Sequence, residues 1–130
     1  MTNDLSKHPI HLGLGATAVR QPEFTGDMQW YEAYSDRCAQ DGVEGRLVAM
    51  HSFDKPWDMW EMHPRGSEVV LCTAGELVII QDIGGEHVRT TLGPGQYAIN
   101  EPGTWHTADI ETSATAVFIT AGLGTQHKPR

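Results

Sequence analysis

The chain has 130 residues, 39% of them hydrophobic and 20% charged, with a formal net charge of −8. That length holds one domain with one modest core, and the balance is that of a globular protein rather than a disordered one. An acidic chain repels nucleic acid unless a basic patch stands apart, and the nine Lys and Arg are scattered. The start, Met1 to Pro9, is polar and lacks the apolar stretch of a signal peptide, and no apolar run reaches bilayer length. Cys38 and Cys72 form no disulfide framework and are expected to be reduced, so a cytoplasmic protein without nucleic-acid or membrane partners is expected.

In chain order, residues 1–26 read as an irregular arm with a short strand around Ile10 to Leu14. A helix is predicted over about Met28 to Gln40, because Trp30, Tyr31, Tyr34 and Cys38 recur at helical spacing. Asp27 suits its N-cap, and Gly42 lies just past its end. Residues 1–45 are thus expected to form an arm and helix that pack on a barrel of residues 46–130, one domain overall. From Arg46 onward short apolar stretches alternate with turn signals. The predicted strands are Arg46–Phe53, Trp57–His63, Glu68–Thr73, Leu77–Gln81, His87–Leu92, Gln96–Asn100, Trp105–Ile110 and Ala114–Ala121. Gly84-Gly85, Gly93-Pro94-Gly95 and Glu101-Pro102-Gly103 are among the breaks. Many short strands at even spacing indicate an all-β sandwich or closed barrel.

Of the seven histidines, His8, His11 and His127 lie near the termini and read as solvated surface imidazoles. His87 follows a Gly-Gly turn and reads as exposed, while His51 lies in a strand whose inward face the pattern does not assign. Around His63 the pattern is informative. Glu61 and His63, two apart in a strand, share a face. Pro64 to Ser67 suits a hairpin loop, which would set Glu68 opposite His63 on the neighbouring strand. His106, after the Pro102-Gly103 turn, can complete the set from another strand. Two imidazoles and two carboxylates suit Fe, Mn, Ni or Zn, and one divalent ion would cancel the repulsion between two inward carboxylates.

The stretch Glu61-x-His63-x4-Glu68-x6-Gly75 resembles the first motif of the cupin superfamily, and Gly95, Gly103 and His106 match the spacing of its second. The resemblance covers roughly Arg46 to Ala121, with the short gap between motifs of small microbial cupins. It implies a jelly-roll β-barrel with a metal near its centre, held by Glu61, His63, Glu68 and His106. Four departures stand out. Glu61 replaces the usual leading His of the first motif, and Lys55 its leading Gly. The Pro of the second motif is displaced to Pro102, and Ile110 stands where an Asn usually follows the last His. Glu remains a competent oxygen donor.

Strand parity puts Trp57 and Met59 on the inward face with Glu61, and Trp60 and Met62 outward, with Tyr97 and Ile99 facing the inward pair. Trp57, Met59 and Tyr97 are therefore expected either as barrel core or as the walls of an apolar pocket beside the metal. The resemblance implies dioxygenases, isomerases, decarboxylases, sensor domains and non-catalytic binders alike, and of these a metal-dependent enzyme of the oxygenase or isomerase type on a small organic molecule is the reading preferred. A non-catalytic binding or sensing module and a structural barrel are the alternatives. No separate general base is identifiable. A homodimer is expected, with the arm strand of Ile10, Leu12 and Leu14 added to a neighbouring barrel.

Overall fold

A computed structural model describes residues 2–130, folded as eleven strands, one α-helix and a 3-10 segment. The strands are β1 (Ile10–Gly13), β2 (Thr17–Arg20), β3 (Arg46–Phe53), β4 (Met59–Met62), β5 (Glu68–Gly75), β6 (Leu77–Ile83), β7 (Glu86–Leu92), β8 (Tyr97–Asn100), β9 (His106–Asp109), β10 (Ala114–Thr120) and β11 (Gln126–Pro129). They form two antiparallel sheets in the orders β2-β1-β3-β10-β5-β8 and β11-β4-β9-β6-β7. Two such sheets packed face to face, with successive strands switching between them, make a jelly roll. No helix among the described residues is long and apolar enough to cross a membrane.

Period-two alternation decides what meets between the sheets. Val70 and Cys72 on β5, Ala114, Ala116 and Phe118 on β10, Leu77 and Ile79 on β6, and Ala108 on β9 form the buried core with Leu92 and Ile110. At one level each of these strands changes to a polar inward residue: Glu68 on β5, Thr120 on β10, Gln81 on β6 and His106 on β9. Register aligns them. Asn100, Glu68, Thr120 and Leu47 are successive cross-strand partners in one sheet. His127, Glu61, His106 and Gln81 are successive partners in the other. Two polar rows thus face each other at one end of an otherwise apolar sandwich.

Helix α1 (Met28–Arg37) starts where predicted, with the Asp27 carboxylate accepting from Trp30 N at 3.0 Å. It ends earlier than its spacing suggested, because the chain tightens into a 3-10 segment over Ala39–Glu44 that turns at Gly42 (φ 57°). Trp30 is buried and stacks on Tyr34 at 5.8 Å between ring centres, with Phe24 edge-on. The eight predicted barrel strands are all present, Arg46–Phe53 with the predicted ends and the others with shifted ones, and two further strands lie outside the prediction. Both β2 and β11 are exposed along their whole length, so neither carries an apolar alternation to read.

Two expectations are corrected. Glu68 is not opposite His63 in a hairpin: β4 pairs with β9 and β11, whereas β5 pairs with β10 and β8 in the other sheet. Pro64 to Ser67 is therefore a crossing between sheets, and the two residues meet across the sandwich. The arm does not reach outward either: β1 pairs with β3 of its own chain through Ile10–Val48, His11–Leu47 and Leu12–Arg46.

One glycine is required by this topology. Gly75 has φ +71°, and a Cβ there would lie 2.1 Å from the Ser113 carbonyl oxygen. Gly75→Ala is expected to cost about 2 kcal/mol or more, combining a strained φ with a clash against backbone. Urea unfolding measures this, and a variant as stable as the parent would show that the β5–β6 turn can relax.

Candidate metal centre

The two polar rows bring Glu61, His63, Glu68 and His106 together: one potential ligand atom from each lies within 4.8 Å of all the others. Glu61 and His106 are direct cross-strand partners, His63 follows the end of β4, and Glu68 opens β5 on the opposite sheet. His63, Glu68 and His106 are buried, at 4%, 2% and 0% exposure, and Glu61 is partly so. His63 Nε2 lies 3.0 Å from Glu61 Oε1 and 3.1 Å from Glu68 Oε2. His106 Nε2 lies 3.1 Å from Glu68 Oε1 and 3.6 Å from Glu61 Oε1. Close as these contacts are, none has the direction of a hydrogen bond, and among the described residues both Nε2 atoms are buried without a partner. Four donors thus surround one point without satisfying one another, the geometry expected where a cation would sit.

The surrounding hydrogen bonds fix the chemistry of each donor. His106 Nδ1 lies 3.1 Å from the Thr104 carbonyl, which can only accept, so the ring carries its proton there and leaves the Nε2 lone pair free. Thr125 Oγ1 donates to the Gly122 carbonyl at 2.8 Å, so toward His63 Nδ1, also at 2.8 Å, it can only accept. Both imidazoles are therefore held with Nε2 toward the cluster. Glu68 accepts from Asn100 Nδ2 at 3.1 Å and from Thr120 Oγ1 at 2.6 Å, which favours its ionised form. Gln81 Nε2 donates to Asn100 Oδ1 at 2.8 Å and so sets the orientation of that amide. Outside the cluster, His127 Nε2 lies 2.9 Å from Glu61 Oε2. β11, which carries His127, is tied down by Arg130 through Asp109 at 2.8 Å and the Trp57 carbonyl at 2.9 Å.

Without an ion, the charges shift one another. Burial opposes every charged form here, yet the facing partners win. Close contact with the Glu61 and Glu68 carboxylates, and attraction from their charges, raise His63 and His106 to about 9. Histidine contacts hold Glu61 and Glu68 well below the ordinary glutamate range. The metal-free cluster is thus two imidazolium and two carboxylate groups, with two protons in the place of a divalent charge.

Beside the cluster opens a cavity of about 1220 Å³ between α1 and the sheets. Trp57 and Met59 border it, together with Tyr31, His51, Phe53 and Phe118. Trp57 packs on Phe53, Phe118 and His106 at ring-centre distances of 5.6, 6.0 and 6.4 Å. Burial, then the Glu61 and Glu68 charges, raise the Tyr31 phenol to about 12, and burial lowers His51. Tyr97 does not join this wall. It is 57% exposed on the outer face of β8, because the smaller Ala98 and the polar Asn100 take the inward positions.

Two histidines also depart from expectation. His127 reaches the cluster, and His11 is buried at 3% exposure rather than solvated. Asn100, Thr120, Thr125 and Gln81 were not singled out from the sequence. Only Asn100 left a trace there, as a polar residue closing an apolar strand just before a turn.

A family model described as cupin domain matches residues 54–122. The chain belongs to the cupin family. Its fold resembles those of an oxalate oxidase (TM-score 0.53, 19% identity, 62% of this chain and 44% of that one). It also resembles a protein of Klebsiella pneumoniae with a double-stranded β-helix domain (0.52, 22%, 65% and 73%). A third likeness is a cupin-2 domain protein of Shewanella frigidimarina (0.50, 18%, 65% and 71%). The cupin thus spans less than half the oxalate oxidase chain. No curated protein matches it in sequence. These likenesses establish the fold, and the cupin's chemistry has to be argued from its own residues.

The pKa directions give a stability profile for the chelator-treated protein. The raised histidines contribute stability that is fully present below about pH 6.5 and lost as pH rises toward 9. The depressed carboxylates contribute stability present above about 4.5 and lost as pH falls toward 2. Thermal unfolding in a chelator should therefore peak between about pH 4.5 and 6.5 and decline from 6.5 to 9. A melting temperature that rises over that upper range would contradict the imidazolium–carboxylate cluster.

Proposed function

We propose that Glu61, His63, Glu68 and His106 hold one divalent first-row metal ion, and that the cupin is a metal-dependent enzyme acting on a small organic molecule in the adjoining cavity. The observation that carries this reading is the pair of buried, unpartnered Nε2 atoms whose Nδ1 positions are already committed. Two imidazoles with two carboxylates suit Fe, Mn, Ni or Zn. Four protein ligands leave up to two positions on an octahedral ion and none on a tetrahedral one, so Fe, Mn or Ni favours turnover. When bound, the ion would supply a Lewis-acidic centre of the kind that oxygenases and isomerases use. The chain's own part is to desolvate and shape the site. Phe53, Trp57 and Phe118 make the wall apolar, and Asn100, Thr120 and Thr125 keep the donors in place.

Elemental analysis of protein purified without a nickel column should find close to one ion per chain. His63→Ala combined with His106→Ala should lose it, and full retention in that variant would remove the site. Trp57→Ala is expected to leave metal content intact while weakening the spectral response of the bound ion to small chelating organic acids. If the parent ion shows no exchangeable position, the cupin is a binding or structural module instead. A cytoplasmic setting belongs to the same reading.

A homodimer is also part of this reading, by a route different from the arm. The outer face of the six-stranded sheet carries two apolar cross-strand rows, Met50–Val117–Leu71–Tyr97 and Val48–Ile119–Val69–Ile99. A sheet whose both faces are apolar reads as buried on both, and a second copy supplies a matching face about a two-fold axis. Light scattering should give twice the chain mass, and Leu71→Glu with Ile119→Glu should give monomers that keep their metal. A parent that is monomeric at micromolar concentration would contradict this.

A further inference from the structure

The cavity has a second polar pole, distant from the metal cluster and built from residues of the N-terminal arm, the helix and the 3-10 segment. His11 on β1 continues the cross-strand row of Glu68 and Thr120 through Leu47. Three strand spacings separate it from Glu68, roughly 14 Å along the sheet. Its ring bonds two groups at once: Nε2 lies 2.5 Å from Asp41 Oδ2, and Nδ1 lies 2.6 Å from the Tyr34 hydroxyl. His11 and Tyr34 both border the cavity.

Two glycines are needed for this triad to form. A Cβ on Gly13 would lie 2.6 Å from Asp41 Oδ2 and 3.2 Å from His11 Nε2. One on Gly45 would lie 2.8 Å from His11 Cε1 and 3.2 Å from Asp41 Cβ. Neither glycine has the positive φ that would explain it otherwise. The pair is thus enclosed by backbone from two sides, a fit a surface imidazole does not require.

The donor directions follow. Asp41 is ionised and can only accept, so His11 carries its proton on Nε2 and presents a lone pair on Nδ1. Tyr34 then donates its hydroxyl hydrogen to His11. Burial, with the Asp41 charge adding, keeps the phenol neutral by raising its pKa. Among the described residues the Tyr34 oxygen makes no other hydrogen bond, and Tyr34 borders the cavity, so its remaining lone pair is left to accept from a ligand there.

We propose that Tyr34, oriented by His11 and Asp41, is the ligand-binding group for the end of the substrate that does not meet the metal. Resting on the small-molecule reading above, this narrows the ligand class. The substrate carries a hydroxyl or amine hydrogen for Tyr34, an apolar or aromatic body against Tyr31, Phe53 and Phe118, and a coordinating oxygen at the other end. Tyr34 touches the ligand, and His11 and Asp41 act through it as positioning residues.

The test uses the zinc-loaded full chain and two probes of one shape, 4-fluorophenol and 4-fluoroanisole, followed by fluorine NMR titration. The parent should prefer the phenol, and Tyr34→Phe should reduce that preference about three- to tenfold, the worth of one neutral hydrogen bond. Metal content and anisole affinity should stay unchanged. Asp41→Ala should free the His11 ring to exchange tautomers, visible in its long-range proton–nitrogen spectrum, and should reduce the preference too. Asp41→Asn, which keeps an acceptor, should restore most of it. A phenol preference that survives Tyr34→Phe intact overturns the inference and leaves the metal-centred reading standing. Failure of both probes to bind the parent overturns the cavity as a ligand site, and the inference with it.

Discussion

Two carboxylates, Glu61 and Glu68, point at each other from opposite sheets inside the sandwich, and most of the local structure follows from the positive charge they require. Burying two such anions is prohibitive unless the charge is compensated nearby. His63 and His106 sit within 3.0 to 3.6 Å of them and can supply that compensation as two imidazolium groups. One divalent ion can do the same with the imidazoles neutral. The fixed Nδ1 partners make the second arrangement the better satisfied one, because a lone pair on each Nε2 then has something to bind. A polar network this deep is tolerated only when each member is satisfied.

Sheet register places that network. A strand presents alternate residues inward, so a polar residue at the end of each apolar set forms a layer only if neighbouring strands are in step. The row from Asn100 through Glu68 and Thr120, and the row from His127 through Glu61 and His106 to Gln81, meet at one level. Below it lie Cys72, Leu77, Ala114 and Ile110, a narrow apolar core of small and branched side chains. To one side, α1 stands off from the sheet and leaves the aromatic cavity. The helix thus has two roles: Trp30 anchors it through Phe24, and Tyr31 and Tyr34 supply wall residues.

Much of this was legible in the sequence, and the illegible parts have identifiable causes. The eight barrel strands and the helix start were readable because turn residues and a capping Asp mark them. The four cluster residues were readable because Glu61, His63 and Glu68 lie within one short stretch. Their meeting was predicted for the wrong geometric reason, since Pro64 to Ser67 has hairpin composition but crosses between sheets. Tyr97 defeats the sequence pattern because its size suggests an inward position, whereas a wide apolar outer face leaves Ala98 and Asn100 to fill the interior. His11 and His127 were read as solvated from their distance to the chain ends. Strand pairing, which no local pattern records for Ile10–Gly13 or Gln126–Pro129, sets His127 beside the cluster and buries His11 at the far end of the cavity.

The exchange of two protons for one metal ion is the central claim, and titration calorimetry tests it directly. Metal-free protein would be titrated with Zn(II) at pH 7.5 in buffers of different ionisation enthalpy, which separates proton release from binding. One site per chain with release of about two protons is expected, because the facing carboxylates raise both histidines to about 9 without the ion. Saturable binding with no proton release, or no binding at all, would contradict the account.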